Sequence, residues 1–418
     1  MTTSMVRAAA EPPAWARAPQ LGLWSRELTS QFQGLSPVFV ALLALWSCGL
    51  ILARCCGLST VSLYLARLLG QTDNTTRQRL REFYQEAQAK AGAKRGVKRR
   101  DFAVTGCFLP LLRWVLSFWS CRRLALALDV TNLGARFHVL CVSVLYGGIG
   151  IPVAWKILPA NAKESWHDQW CVLLHCLQPA LGADWTVVVL SDRGLESARL
   201  FREVVAIGWH PLMRAKAGGK FRPLGWVRWY GLGQLVPQVG CRFTAPGLAY
   251  QTSAEPLACT LLACWDEGYA EPWLLLTDLP AAAASPSWYA FRAWIEQGFK
   301  VIKSGALQWQ HTRMTKAERA ERLWLAIAVS VLWLVVIGAA VEGDQRQETL
   351  GKVRTPVASK APPRRHRLFV LGLAEWLASW QSGRPLPQRK LAAETWADVW
   401  HDVPTLTEIQ FCSEYLYP

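Results

Sequence analysis

The sequence predicts an α/β fold in which a mixed sheet is flanked by helices and preceded by an all-α segment. Three observations carry this. Between about residues 120 and 215, short apolar runs bounded by turn residues alternate with helix-length segments. From Pro37 to about Ala91 the chain reads as helical throughout. From Lys216 to Ser285, strand-like runs follow one another before a further helix, the pattern of a β-rich insertion.

Residues 1 to about 30 carry Pro, Ala and Arg without clear periodicity and read as a flexible lead. A helical domain and its basic linker are expected over residues 31–100. Thr60 to Gly70 is a helix stopped by glycine, and Asp73 or Thr75 can cap the next, Thr76 to Lys90, which bears Arg77, Arg79 and Arg81. Helix, short turn and basic helix resemble a helix-turn-helix; a helical bundle with a solvated basic face fits equally. Lys90 to Arg100, with Arg99 and Arg100 at its end, is a basic run suited to lying along phosphates.

The core is expected over residues 101–342. Its strands are Leu124 to Val130, Phe137 to Tyr146, Ile151 to Leu158, Trp185 to Leu190 and Trp209 to Ala215. Gly147 to Gly150 forms the turn between the second and third, and Ser165 to Leu177 and Leu195 to Ala206 are helices. Within the insertion, Gly225 to Tyr230, Gln234 to Phe243, Ala258 to Trp265 and Trp273 to Thr277 read as strands. Residues 343–418 form a proline- and arginine-bearing linker, with Arg364 to Arg367, and two helices, Leu368 to Gln381 and Ala393 to Asp402.

Ser287 to Ser304 organises the rest. Capped by Ser285 or Ser287, it reads as one helix. At about 100° per residue, Tyr289, Arg292, Glu296, Lys300 and Lys303 fall within an arc of roughly 80°, beside an apolar stripe of Trp288, Phe291, Ile295, Phe299 and Ile302. One carboxylate inside a basic stripe suits a metal ligand beside bound phosphates. The alternative is a surface helix with an Arg292–Glu296 pair one turn apart.

Formal net charge is +16, which suits a polyanionic partner, nucleic acid or an anionic membrane surface. Twelve cysteines are scattered without a CxxC pair, as in a reducing cytoplasm. Cys171 and Cys176 flank His175, but Trp170 to Leu177 reads as a buried helix, so no zinc site is expected there. No signal peptide is evident in Met1 to Gln20. Val38 to Ala53 and the uncharged Leu323 to Val341 imitate membrane spans; burial in a non-membrane core is expected for the second.

The spacing Tyr289-x2-Arg292-x3-Glu296-x6-Lys303 resembles the Y-R-E-K signature of bacterial insertion-sequence transposases of the DDE class. Leu124 to Asp129 and Thr186 to Gly194 supply two apolar runs ending in an acid, the second as Asp192-Arg193-Gly194, similar to that family's second-aspartate motif. Asp129 is followed by Val130-Thr131-Asn132 where the family often has a small residue or threonine next. The resemblance covers about residues 120 to 340. It implies an RNase H-like core with a five-stranded mixed sheet, interrupted by a β insertion at about residues 216–285. It implies Asp129, Asp192 and Glu296 as catalytic metal ligands for Mg²⁺, with Mn²⁺ substituting. Arg292, Lys300, Lys303, Tyr289, Arg193, Arg99 and Arg100 would contact DNA, and Trp273, otherwise a core residue, would stack on an extruded base. The implied partners are double-stranded DNA, both the element's terminal inverted repeats and the target, and a second copy of the chain. The reaction implied is cleavage and strand transfer in cut-and-paste transposition, in a bacterial cytoplasm. A nuclease without strand transfer, an inactive DNA-binding derivative and a basic membrane-associated protein are the alternatives.

Overall fold

The computed structural model describes residues 18–90, 102–163, 165–352, 367–387, 390–391, 396 and 406–416. Its first helix, α1 (Pro19–Gln31), lies where a flexible lead was expected. The reason is Leu21, Trp24 and Leu28, which recur at helical spacing and are buried. Trp24 stacks on Trp333 at 3.5 Å and donates its indole N–H to Ser47 at 2.8 Å.

Ser36 caps α2 (Pro37–Ala53), whose outer turns are as apolar as its inner ones and are nearly all buried. Gly70, at φ 62°, ends α3 (Leu58–Leu69). Thr72 then caps α4 (Asp73–Tyr84) by accepting the Thr75 N–H. α4 starts earlier than expected and stops at Tyr84 rather than Lys90. Arg77 and Arg81 are exposed on it, while Arg79 bonds Gln71. The core opens with α5 (Phe108–Ser117), which the sequence reading did not anticipate.

One sheet then runs through the molecule: β1 (Arg123–Leu133), β2 (Phe137–Tyr146), β3 (Ile149–Pro159), β4 (Thr186–Ser191), β5 (His210–Arg214), β6 (Lys220–Pro223), β7 (Tyr230–Gly231), β8 (Arg242–Ala249), β9 (Leu257–Cys264) and β10 (Trp273–Thr277). Its order is β3-β2-β1-β4-β5-β10-β9-β8-β6-β7. β1, β2 and β3 form an antiparallel meander, closed by Gly147 and Gly148 at φ 58° and 86°, and β4 and β5 run parallel to β1. This half is consistent with an RNase H-like core.

The expected five-stranded sheet is therefore corrected to ten strands. The insertion does not stand apart: β10 pairs antiparallel with the free edge of β5, Leu276 opposite Met213, and the other insertion strands follow. Two expected strands, Gly225 to Tyr230 and Gln234 to Phe243, are mostly turns, because Gly225 and Gly240 take φ of 83° and 90°. The end of the chain closes this region. On α11 (Glu408–Phe411), Glu408 accepts from Tyr230 Oη at 2.7 Å, and Phe411 packs against Trp226 and Phe243.

Helices α6 (Trp166–Leu177), α7 (Ala198–Ala206) and α8 (Ala293–Lys300) flank the sheet, followed by α9 (Ala317–Lys352) and α10 (Leu368–Ser382). α9 is long and apolar enough to cross a membrane, yet Leu323 to Leu332 are buried within the protein. It packs on α2, β3 and α10. Glu321 ties it to β3, through the Ile157 N–H at 3.0 Å and Lys156 at 2.9 Å. It also gives α1–α4 and the sheet one continuous core. At its crossing with α10, Gly338 meets the backbone of Leu368 and Gly372, a contact with no room for side chains. The expected helix Ala393 to Asp402 lies outside the described residues except for Trp396, which packs on Trp288 and Phe291.

Candidate active site

Strand register brings the two aspartates together. β1 and β4 are parallel with Leu128 opposite Ser191. The next residue on each chain is Asp129 and Asp192, so the acids sit side by side, facing the same way. β4 stops there, but β1 does not end near Val130 as expected. It continues along β2 to Leu133 opposite Phe137, leaving one edge of Asp129 free. Backbone N–H groups fix both carboxylates: Val130 donates to Asp129 at 2.8 Å and Gly194 to Asp192 at 2.9 Å.

The third acid arrives on a segment that changes pitch twice. Pro286–Arg292 is a 3₁₀ helix, α8 is regular, and Val301–Gly305 is a π turn. The single helix expected over Ser287 to Ser304 is corrected accordingly. α8 sits directly on β3, because Gly298 and Gly150 meet backbone to backbone: a Cβ on Gly298 would lie 2.6 Å from the Gly150 carbonyl oxygen.

Arg292, at the junction of 3₁₀ and α helix, gathers the site. Its Nη2 lies 2.9 Å from Asp129 Oδ2 and 3.5 Å from Asp192 Oδ2, and its Nη1 pairs with Glu296. The Arg292–Glu296 pair of the alternative reading is therefore present, within a larger four-membered cluster. Arg292 and Asp129 side chains are only 14% and 13% exposed, whereas Glu296 is 56% exposed. Burial pushes the Asp129 carboxyl up to about 6 despite Arg292, and the neighbouring charges of Asp192 and Glu296 act in the same direction as burial. Lys303 Nζ donates to Thr131 Oγ1 at 3.3 Å, two residues along β1 from Asp129 and thus on the same face. Thr131 so holds Lys303. Lys300 is exposed on the rim of an apolar cavity of about 470 Å³ between α8 and α10.

Other expected contacts lie differently. Tyr289 is not on the open face: the larger rotation per residue of the tighter-wound 3₁₀ segment turns it inward, where burial pushes its phenol up to about 12. It donates to the Ser191 carbonyl at 3.3 Å and packs on Trp273 at 5.5 Å. Trp273 is half-buried between Tyr289 and Tyr269. Arg193 makes two bonds to Glu271, at 2.5 and 3.3 Å, which also receives Arg214. Arg99 and Arg100 lie outside the described residues. Four other acids of the core are engaged elsewhere: Asp184 with Arg122, Glu196 with the Lys216 N–H, Asp266 with Arg242 and Asp278 with His210.

Sequence reasoning missed the central place of Arg292 and the Gly150–Gly298 contact; neither pitch changes nor close backbone approach leave a mark in residue spacing. Among the described residues, the group of His, Cys, Asp or Glu side chains whose ligand atoms all lie within 4.8 Å is elsewhere, at His167, Cys171 and Glu203. The three acids around Arg292 are spread more widely than one ion's ligands.

Two aspartates at the end of a parallel strand pair and a glutamate brought over them by a helix thus form one acidic cluster around Arg292. Residues 131–333 match the family described as Transposase DDE domain. This match, over just under half of the chain, supports the function of a DDE transposase, an enzyme of DNA transposition acting on DNA. Such transposases generally use divalent metal ions. No curated protein matches the chain. The match covers Asp192 and Glu296 and opens two residues after Asp129.

Proposed function

We propose that the protein cuts DNA at the terminal inverted repeats of its own insertion sequence and joins the ends to target DNA, with Asp129, Asp192 and Glu296 as its catalytic acids. What carries this reading is the meeting of the three carboxylates on one guanidinium. An all-oxygen, acidic donor set suits a hard cation such as Mg²⁺, with Mn²⁺ able to substitute. Two ions held there would activate the attacking water or 3′-hydroxyl and relieve charge at the phosphorus.

The chain's own residues do the rest. Asp129, Asp192 and Glu296 would together hold the ions, with Asp129 beside Asp192 on the neighbouring strand. Arg292 balances three negative charges around a mostly buried centre. Added cations would repel it from those carboxylates, freeing it for a DNA phosphate beside the scissile bond. Lys303 and Lys300 extend the same face and would bind flanking phosphates. Tyr289 acts through Ser191, holding the end of β4 and thus the backbone at Asp192. Arg193 and Trp273 are DNA contacts only if the strands around Glu271 open to DNA. A homodimer bridging two ends, in the bacterial cytoplasm on nucleoid DNA, completes the proposal.

The test is a joining assay with donor DNA carrying the repeats that flank the gene, target plasmid, Mg²⁺ and purified protein. Joined product is expected from the wild type and from neither Asp129→Asn nor Asp192→Asn. Cutting without any joining by the wild type would make the protein a nuclease instead.

A further inference from the structure

We propose that His167, Cys171 and Glu203 form a binding site for one transition-metal ion, zinc foremost, that clips α6 to α7. His167 and Cys171 are one turn apart on α6, so their side chains lie on one face. Cys171 Sγ is 3.3 Å from His167 Nε2. Glu203 projects from α7, and all three ligand atoms lie within 4.8 Å of one another. Bonds of about 2.0–2.3 Å in a tetrahedron set zinc ligands roughly 3.3–3.8 Å apart, so a small rotamer adjustment closes the set. His175, one further turn along α6, has its Nε2 3.8 Å from Glu203 Oε2 and supplies a candidate fourth ligand.

The helix expected to be buried here is so on one side only. Trp170, Leu173, Leu174 and Leu177 face the core, while His167 and Cys171 are half-buried and His175 is exposed. The nearest cation, Arg199, is paired with Asp168 at 3.0 Å. A nitrogen–sulfur–oxygen set selects zinc or cobalt over magnesium, so this ion is chemically separate from any held by Asp129, Asp192 and Glu296. α7 begins at Ala198, shortly after Asp192, and the clip would brace the segment leading out of the active site.

The experiment uses the full chain. After zinc loading and extensive dialysis, metal content is measured for the wild type, Cys171→Ser and His167→Gln. The site predicts one tightly held equivalent in the wild type, lost in both variants, and a chelator-induced fall of several degrees in melting temperature that Cys171→Ser does not show. With Co²⁺, the wild type should display a thiolate-to-cobalt band in the near ultraviolet, which an oxygen-ligated ion cannot give and Cys171→Ser should lack. Equal zinc in wild type and variants, or a cobalt spectrum without the thiolate band, would overturn the proposal.

Discussion

At the scale of single residues, Arg292 has two tasks that compete. It neutralises three acids and, in the proposed reaction, contacts DNA. Removing it leaves Asp129 buried without its cation, a change that costs on the order of 3 kcal/mol for a buried pair. Arg292→Ala should therefore melt well below the wild type in metal-free buffer. Mg²⁺ should then raise its melting temperature more than that of the wild type, because an added cation replaces the missing one. Identical Mg²⁺ shifts in thermal melts of the two proteins would show that the acids do not depend on Arg292 for charge balance. A second residue-scale prediction concerns pH. Glu86 is held down to about 2 by its bonds to Arg319, with Lys316 adding to the effect. Its folded value is depressed, so its contribution is complete above the ordinary 4.5 and is lost as pH falls from about 4.5 to about 2. With one quarter of each side chain exposed, about 1–2 kcal/mol is expected after screening. Denaturation of Glu86→Gln against wild type should give a stability gap that closes over that window. A gap constant down to about pH 2 would rule this out.

At the scale of elements, the strands of the core were legible because apolar runs between turn residues leave few alternatives. The β2–β3 hairpin was readable from its glycines, and both aspartates from the apolar runs they terminate. What was not legible depended on geometry beyond spacing. A helical wheel assumes one pitch, and the segment from Pro286 to Gly305 has three, which is why Tyr289 faces inward while Glu296 stays exposed. α1 was hidden because its three buried anchors sit in a stretch of low overall hydropathy. The insertion strands were visible as strands, but nothing in them announces that β10 continues the edge of β5. The Gly150–Gly298 contact is the element-scale feature on which Glu296 depends. Gly298→Ala would push a methyl group into the Gly150 carbonyl and move α8 off β3. Overpacking of this kind costs about 1–3 kcal/mol, and a displacement of about 1 Å at a catalytic group can cost about a hundredfold in rate. Cleavage by Gly298→Ala should fall by at least tenfold while duplex binding changes little; wild-type rates would mean that α8 tolerates a shift.

At the scale of the molecule, α9 shows why apolarity alone misleads. It packs against α2, α4, α10 and β3, and an uncharged stretch suits a helix enclosed on several sides. The net charge of +16 has a structural outlet near that helix. A cleft of about 600 Å³ between the start of α3 and residues 311–319 is lined by Arg77, Arg313, Lys316 and Arg319. Lys316 and Arg319 are paired with Glu86, whereas Arg77 and Arg313 are exposed. Replacing Arg77 and Arg313 by alanine is expected to weaken binding to all duplexes alike and to flatten the salt dependence by up to about two units of slope. An unchanged slope would show that DNA does not run through this cleft.

In the proposed reaction Asp129, Asp192 and Glu296 act together as metal-holding acids. The most direct measurement is the rate of end cleavage by Glu296→Gln, at protein concentrations that saturate binding, in Mg²⁺ and in Mn²⁺. Glutamine keeps the length and hydrogen-bonding reach of the side chain and removes only its charge. End binding near that of the wild type and no cleavage in Mg²⁺, with at most a trace in Mn²⁺, are expected. Cleavage at the wild-type rate in Mg²⁺ would contradict it and leave Glu296 as nothing more than a partner of Arg292.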